Sequence, residues 1–231
     1  MARTRNTLLS AGIRGSVGDA TFVQGATGTQ LRRRPVRVGP PTPAQRDSAL
    51  RMETISAWWA QVDLAGVEAW RAYALSLEAG KPALERRPMP SWNAFLALAT
   101  RVLMVDPGAE VPLHPPAAAF AGDAVAVTVV GEGTPHPYPS PPEGRGVRFV
   151  ASRPNAPGVV TELMLQRLAS VARAPVPSRY RSQAFVGFTE GGLEAVVPQA
   201  PGWVACAVRF VDARTGQATA VFPCGIVGVG V

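Results

Sequence analysis

The chain has 231 residues, of which 47% are hydrophobic and only 17% are charged, and its net charge is +7. This length predicts one or two domains, and the apolar content is enough to build a core. Glycine and proline (23 each) stay below the content of a disordered chain, so collagen, coiled coil and intrinsic disorder are excluded.

The positive charge is concentrated at the N-terminus. Residues 1–40 carry +6, because they contain a single acid, Asp19, and seven arginines: Arg3, Arg5, Arg14, Arg32, Arg33, Arg34 and Arg37. Such an asymmetry indicates a nucleic acid or an acidic protein as partner. Arginine is also the default cation of this composition, since Lys81 is the only lysine. Both interpretations stay open at this point.

The first of three regions, residues 1–40, is predicted to be an extended arm. Glycines interrupt it repeatedly, and residues 21–24 and 30–32 are short β-prone pieces among them. We expect extended structure or a loose hairpin with little core of its own. The spacing of the glycines in residues 12–18 does not match a phosphate-binding loop.

The second region, residues 41–110, is predicted to be a helical unit of about three helices. Thr42, Pro43 and Gln45 form a capping box that marks the start of the first helix. Asp63 is predicted to cap the second helix, and the third is expected to begin at Ser91. Because the first connection is short, we expect the first two helices to form an antiparallel hairpin.

The third region, residues 111–231, is predicted to be an antiparallel β-sandwich of immunoglobulin or fibronectin type III kind. Turn residues separate five β-prone segments: 124–130, 147–152, 184–188, 203–211 and 219–222. Residues 161–172 fit a strand and a helix nearly equally, and the neighbouring strands favour a strand. The chain as a whole is therefore expected to be an α+β protein.

A proline-rich segment, residues 133–146, separates two of these strands. Five prolines cannot join the interior of a sheet, so we expect a long exposed loop. A proline-rich ligand for an adaptor domain is the alternative.

The sequence contains no arrangement that points to catalysis, a metal or a cofactor. His114 and His136 are flanked by proline in expected loops, where a general base would be poorly held. Cys206 and Cys224 have no CxxC spacing, so we expect buried thiols and neither zinc nor a disulfide scaffold. A hydrolase whose partners converge only in the fold stays open.

No secretory signal or transmembrane segment is expected. The apolar run at residues 8–13 is too short for a signal, and residues 218–231 are interrupted by Pro223 and glycines. We therefore expect no membrane partner and a protein that is made and assembled in a cytoplasm.

Tryptophans recur at helical spacing in the second region. The four tryptophans are Trp58, Trp59, Trp70 and Trp92. Together with Tyr73 and Phe95, they are expected to form the core of the helical unit. Trp58 and Trp59 are consecutive and cannot both face the same way on a helix. At least one is therefore expected to be available to another surface, in this chain or in a neighbouring subunit.

Several of these motifs occur together in a known group. The chain resembles small bacterial and phage-linked proteins in residues 12–18 (GIRGSVG), 32–35 (RRRP), 41–45 (PTPAQ), 70–74 (WRAYA) and 92–95 (WNAF). The resemblance covers residues 12–100. Proteins of this group end in a β-sandwich, and the resemblance transfers no catalytic residues. It implies a structural component of a phage-type virion, in a capsid-decorating or tail-associated position.

These observations lead us to expect a non-enzymatic structural subunit of a large assembly, located in a virion or a cytoplasmic assembly. Its partners would be copies of itself or neighbouring virion proteins. The candidate interface residues are Arg14, Phe22, Arg32, Arg33, Arg34, Arg37, Trp58 and Trp59. The alternative is a nucleic-acid-binding protein that uses the arginines of residues 32–37.

Overall fold

The described part of the chain is mixed α+β, as predicted, with three α-helices, a short 3-10 helix at Pro177–Arg179 and antiparallel sheets. The computed structural model describes residues 15–17, 20–25, 28–33, 39–79, 89–123, 125–132, 146–189 and 194–230. The chain divides into two compact units, Met1–Arg46 and Asp47–Val231. The proline-rich residues 133–145 lie outside the described residues, and residue 146 already begins a strand.

The first unit contains a three-stranded antiparallel sheet. Its strands are β1 (Gly15–Val17), β2 (Ala20–Gly25) and β3 (Gly28–Arg33), with β2 in the centre. The β2–β3 hairpin pairs Ala20 with Arg33 and Gly25 with Gly28. This confirms the expected hairpin. Among the residues of this unit whose burial is described, none is buried.

Three helices follow, and each begins where the sequence predicts it, the first two at capping residues. They are α1 (Pro43–Trp59), α2 (Leu64–Ala79) and α3 (Ser91–Val105). The Thr42 N–H donates to Gln45 Oε1 (3.1 Å), and the Gln45 N–H donates to Thr42 Oγ1 (3.3 Å), which is a complete capping box. Asp63 Oδ1 accepts from the Gly66 N–H (2.7 Å) at the start of α2.

The helices pack differently from the expected hairpin of α1 and α2. The most extensive helix contact joins α2 to α3. Only Ile55 is fully buried along the 17 residues of α1, whereas α3 buries one whole face. The short connection makes α1 and α2 neighbours in sequence. Because most of the surface of α1 is polar, α1 offers no broad apolar stripe that could pack against α2.

Seven strands form two further antiparallel sheets. The sheet orders are β10-β9-β6-β7 and β4-β5-β8. The strands are β4 (Val127–Glu132), β5 (Gly146–Ala151), β6 (Val159–Leu168), β7 (Arg181–Val186), β8 (Glu194–Pro198), β9 (Gly202–Asp212) and β10 (Phe222–Val229). One apolar cluster draws on both sheets, through Val147, Phe149, Leu163, Leu165, Val204, Cys206, Val208 and Phe210.

The ambiguous residues 161–172 are a strand as far as Leu168, the end of β6. This strand lies between β7 and β9, and both of its faces are buried. Leu163 and Leu165 join the main apolar cluster, whereas Met164 joins a second cluster with Tyr180, Ala205 and Ala207. A strand that is buried on both faces shows no simple alternation, which explains the ambiguous pattern.

The strand predicted at residues 219–222 was wrong. After a single bridge between Val211 and Ala218, the last strand begins only at Phe222 and continues to Val229. A register shift between Pro223 and Gly225 accommodates the proline. Because β10 is an edge strand, it tolerates both a proline and a bulge.

Candidate interaction surfaces

Of the two histidines, one lies among the residues that the structure describes. His114 is exposed in the segment between α3 and β4, and His136 lies outside the described residues. Within the described ranges, no three His, Cys, Asp or Glu side chains come together as metal ligands. No helix among those ranges has the length and apolarity needed to cross a membrane.

Both cysteines are free thiols next to the main apolar cluster. Cys206 on β9 is fully buried, as predicted, whereas Cys224 in the β10 bulge is half-buried. Burial raises the pKa of Cys206 to about 12 and that of Cys224 to about 11. Both side chains are therefore protonated near neutral pH, and neither has the thiolate character of a nucleophile.

A buried ion pair connects two strands on the other face of the same sheet. Glu162 on β6 is almost fully buried, and Arg209 on β9 donates to its Oε2 from Nε at 2.7 Å. Nearby, Arg101 of α3 donates to the Gly216 carbonyl oxygen at 3.1 Å. Burial lowers the pKa of Arg101, the Arg209 charge lowers it further, and Glu162 opposes both.

This polar cluster is structural. Its three charged residues come from α3, β6 and β9, and each side chain has a partner within the chain. No buried side-chain nitrogen or oxygen in the described part of the chain lacks a hydrogen bond. Sequence reasoning missed the cluster, because its members are far apart and only the register of β6 with β9 places Glu162 opposite Arg209.

The aromatic residues form the core of the helical region, as predicted. Trp70 and Phe95 are buried with their ring centroids 5.3 Å apart in an edge-to-face arrangement. The Trp70 indole Nε1–H donates to the Leu113 carbonyl oxygen at 2.8 Å. This bond satisfies the one polar atom of a buried tryptophan and ties α2 to the segment that leads into the sheets.

Trp58 and Trp59 are both half-buried and pack against this core. The ring centroid of Trp59 lies 5.0 Å from that of Phe95 and 5.5 Å from that of Trp92. Part of the surface offered by these two residues is therefore used within the chain. Their role as interface residues stays a prediction.

Three consecutive residues of β3 form the exposed part of the arm whose side chains the structure describes. Leu31 is 52% exposed, and Arg32 and Arg33 are exposed as well. Phe22 lies opposite Leu31 in the β2–β3 register. The other predicted arm residues, Arg14, Arg34 and Arg37, lie outside the described residues.

A groove of about 390 Å³ opens between the edge strands β4 and β10. The two strands meet closely at Gly131 and Gly228 and separate toward Val127 and Phe222. Its lining is mainly apolar, and its one carboxylate, that of Asp123, already accepts from Arg153 and from the Ala156 N–H, each at 2.8 Å. Among the lining residues that the structure describes, Asp123 is the only charged one.

Comparisons with protein-family models, with curated proteins and with solved structures each found no match.

Proposed function

We propose that this protein is a non-enzymatic structural subunit of a large assembly, of the type that forms phage virions, in a capsid-decorating or tail-associated position. The observation that carries the proposal is the N-terminal sheet. It is built of three strands, yet no residue of this unit with described burial is buried. Ordering a backbone costs about 1–2 kcal/mol per residue, and packing against another subunit would offset this cost for the sheet residues with described burial, which are exposed or half-buried.

The partner in this proposal is another copy of the chain or a neighbouring virion protein. Strand pairing along β1 or β3 would supply main-chain hydrogen bonds, and Leu31 would supply apolar contact. Arg32 and Arg33 would bind acidic groups or carbonyls of the partner. The low charged fraction, 17%, is in keeping with a surface that is partly covered by other subunits.

We also propose that the two sheets of the second unit form a β-sandwich of immunoglobulin or fibronectin type III kind. The shared apolar cluster supports this, because inward-facing residues of β5, β6 and β9 contribute to it together. The sandwich architecture recurs in many cell-surface domains, and it hosts many unrelated functions.

Electron microscopy of the native complex that contains this chain tests the role. We expect many copies on a regular lattice or around a tail axis. A chain that occurs in cells only as a monomer or a small soluble complex would contradict the proposal.

A triple variant tests the arm as the attachment point: Leu31→Asp, Arg32→Glu and Arg33→Glu. We expect incorporation into the assembly to be lost while the helices and sheets stay folded. The matched control reverses two exposed arginines of the second unit, Arg173→Glu and Arg214→Glu. Normal incorporation of the triple variant would exclude the arm and favour Trp58 or Trp59 as the anchor.

The second candidate function is nucleic-acid binding, and the exposure of Arg32 and Arg33 favours it. The two proposals differ in their dependence on salt. Binding to nucleic acid would weaken by orders of magnitude between about 50 and 200 mM salt, because phosphate contacts release counterions. Attachment to a protein by strand pairing would change only modestly over the same range.

A further inference from the structure

The outer face of α2 carries two exposed leucines that contact no other element in the described part of the chain. Leu64 is 79% exposed and Leu75 is 61% exposed, whereas Trp70 and Ala74 on the opposite face are buried. Leu64, Glu68, Arg71 and Leu75 follow the spacing i, i+4, i+7 and i+11, so all four lie along one line of the helix. We name these four residues the α2 stripe.

The charged residues of the α2 stripe form a salt bridge with each other. Arg71 Nη1 lies 2.8 Å from Glu68 Oε1, and the two side chains are 64% and 55% exposed. Two opposite charges lie between two exposed leucines, and the stripe has no net charge. A single-sign or strongly acidic partner would therefore gain nothing at this surface.

The order of the four residues makes the α2 stripe complementary to itself. Leu64 and Leu75 are placed symmetrically about the midpoint between Ala69 and Trp70, and so are Glu68 and Arg71. If a second helix runs antiparallel across a two-fold axis at that midpoint, each leucine meets the other leucine of the partner copy. Each Glu68 then faces Arg71 of the other copy, and both charge pairs form at once.

We propose that the α2 stripe is a homotypic interface at which two copies of this chain pair antiparallel about a two-fold axis. This inference deepens the proposed function, because it rests on an assembly that contains several copies of the chain and names one of the contacts between them. The surface involved is on α2 and not on the N-terminal arm, so the two contacts are separable by substitution.

Charge exchange tests the pairing in the full-length chain. Glu68→Arg alone or Arg71→Glu alone places like charges opposite each other at both symmetry-related positions. We expect each single variant to weaken the dimer by at least about tenfold in sedimentation velocity. An equimolar mixture of the two variants restores both charge pairs between unlike copies and should regain wild-type affinity.

The recovery in the mixture separates an interface from a local effect. The intrahelical salt bridge is lost in each variant and stays lost in the mixture, so a purely structural role predicts no recovery. Leu75→Asp should also abolish the dimer, whereas Leu50→Asp should not, because Leu50 is equally exposed (60%) but lies on α1. Circular dichroism of each variant shows whether the helices are retained.

Disulfide cross-linking tests the antiparallel orientation of the two α2 helices directly, even within a larger assembly. Leu64→Cys mixed with Leu75→Cys should form an intermolecular disulfide with oxidised glutathione. Leu64→Cys alone should not, since its two copies are separated by 11 residues along the helices, about 16 Å at a rise of about 1.5 Å per residue. The wild-type chain under the same oxidant is the control for Cys206 and Cys224.

The outcomes distinguish this inference from the role of the arm. A wild-type chain that stays monomeric to millimolar concentration and gives no cross-link overturns the α2 interface, as does a charge-exchange mixture without recovery. If the α2 variants behave as expected but the arm variant still assembles normally, the arm proposal fails and the α2 interface stands.

Discussion

Gly216 lies directly against the main chain of Leu98. The turn after β9 approaches α3 so closely that a Cβ atom on Gly216 would overlap the Leu98 carbonyl group. The residue also has a φ of +71°, which L side chains rarely adopt. The Gly216 carbonyl oxygen in turn accepts from Arg101. One glycine therefore makes the close contact between the turn and α3.

Gly216→Ala is expected to destabilise the protein strongly. The positive φ contributes about 1–2 kcal/mol to the loss, and displacement of the turn from α3 adds at least about 1 kcal/mol more. Chemical denaturation of the full chain measures the change. Gly158→Ala is the matched control, because Gly158 has a similar φ of +77° and open space around it. Equal losses in the two variants would show that the contact with Leu98 is unimportant.

Removal of Arg209 is expected to be costly because it leaves the Glu162 carboxylate buried without its partner. Arg209→Met should lower the free energy of unfolding by about 3 kcal/mol. The double variant Glu162→Met/Arg209→Met should recover most of this loss, since an apolar pair can replace a buried ion pair. Arg148→Met, whose partner Glu194 is half-exposed, should change stability by less than about 1 kcal/mol. A double variant as unstable as the single one would contradict this account.

The raised pKa values of the two cysteines lead us to expect a loss of stability at high pH. Burial raises the pKa of Cys206 from 9.0 to about 12, so the folded state favours the protonated thiol. The resulting stabilisation is complete below pH 9 and is lost as the pH rises from 9 through 12, because the unfolded thiol ionises first. At a pH near 10.5 the loss from Cys206 is about 2 kcal/mol.

The measurement compares the wild type with Cys206→Ala/Cys224→Ala under reducing conditions. The stability difference between the two proteins should shrink as the pH rises above 9. Parallel curves for the two proteins would show that the thiols do not contribute. At neutral pH, a reductant alone should leave the melting temperature of the wild type unchanged.

The capping box of α1 should control fraying of that helix. Thr42→Ala removes the hydroxyl that accepts from the Gln45 N–H and should weaken the first turn by about 1 kcal/mol. Thr42→Ser keeps the hydroxyl and should behave as the wild type. Hydrogen exchange of the Gln45 amide measures the effect, and equal exchange in the alanine and serine variants would contradict it.

The capping boxes and caps were readable from the sequence because their interactions span only three residues. Thr42 and Asp63 therefore placed the starts of α1 and α2 correctly, whereas α3 begins at Ser91, as expected, without a side-chain cap. The aromatic helical core was also predictable from spacing alone. The packing of α2 against α3 was not predictable, because it follows from the small amount of apolar surface on α1.

The β-region shows what local patterns cannot reveal. The strand β10 contains Pro223 and Gly225, which argue against a strand unless the position at a sheet edge is known. The strand β8, only five residues long, was missed altogether. The Glu162–Arg209 pair depends on strand register, and the two-fold order of the α2 stripe becomes visible only when exposure is known.

The central position of β6 has a kinetic consequence. Its amides are bonded on both sides, to β7 and to β9, and its side chains from Thr161 to Gln166 are buried on both faces. The amides of β6 that bond to β9 lie in the central strand pair of the sheet, so water reaches them only when the two inner strands separate. Proton exchange at these amides should therefore require unfolding of the sheet, so the slowest of them report the global stability of this unit.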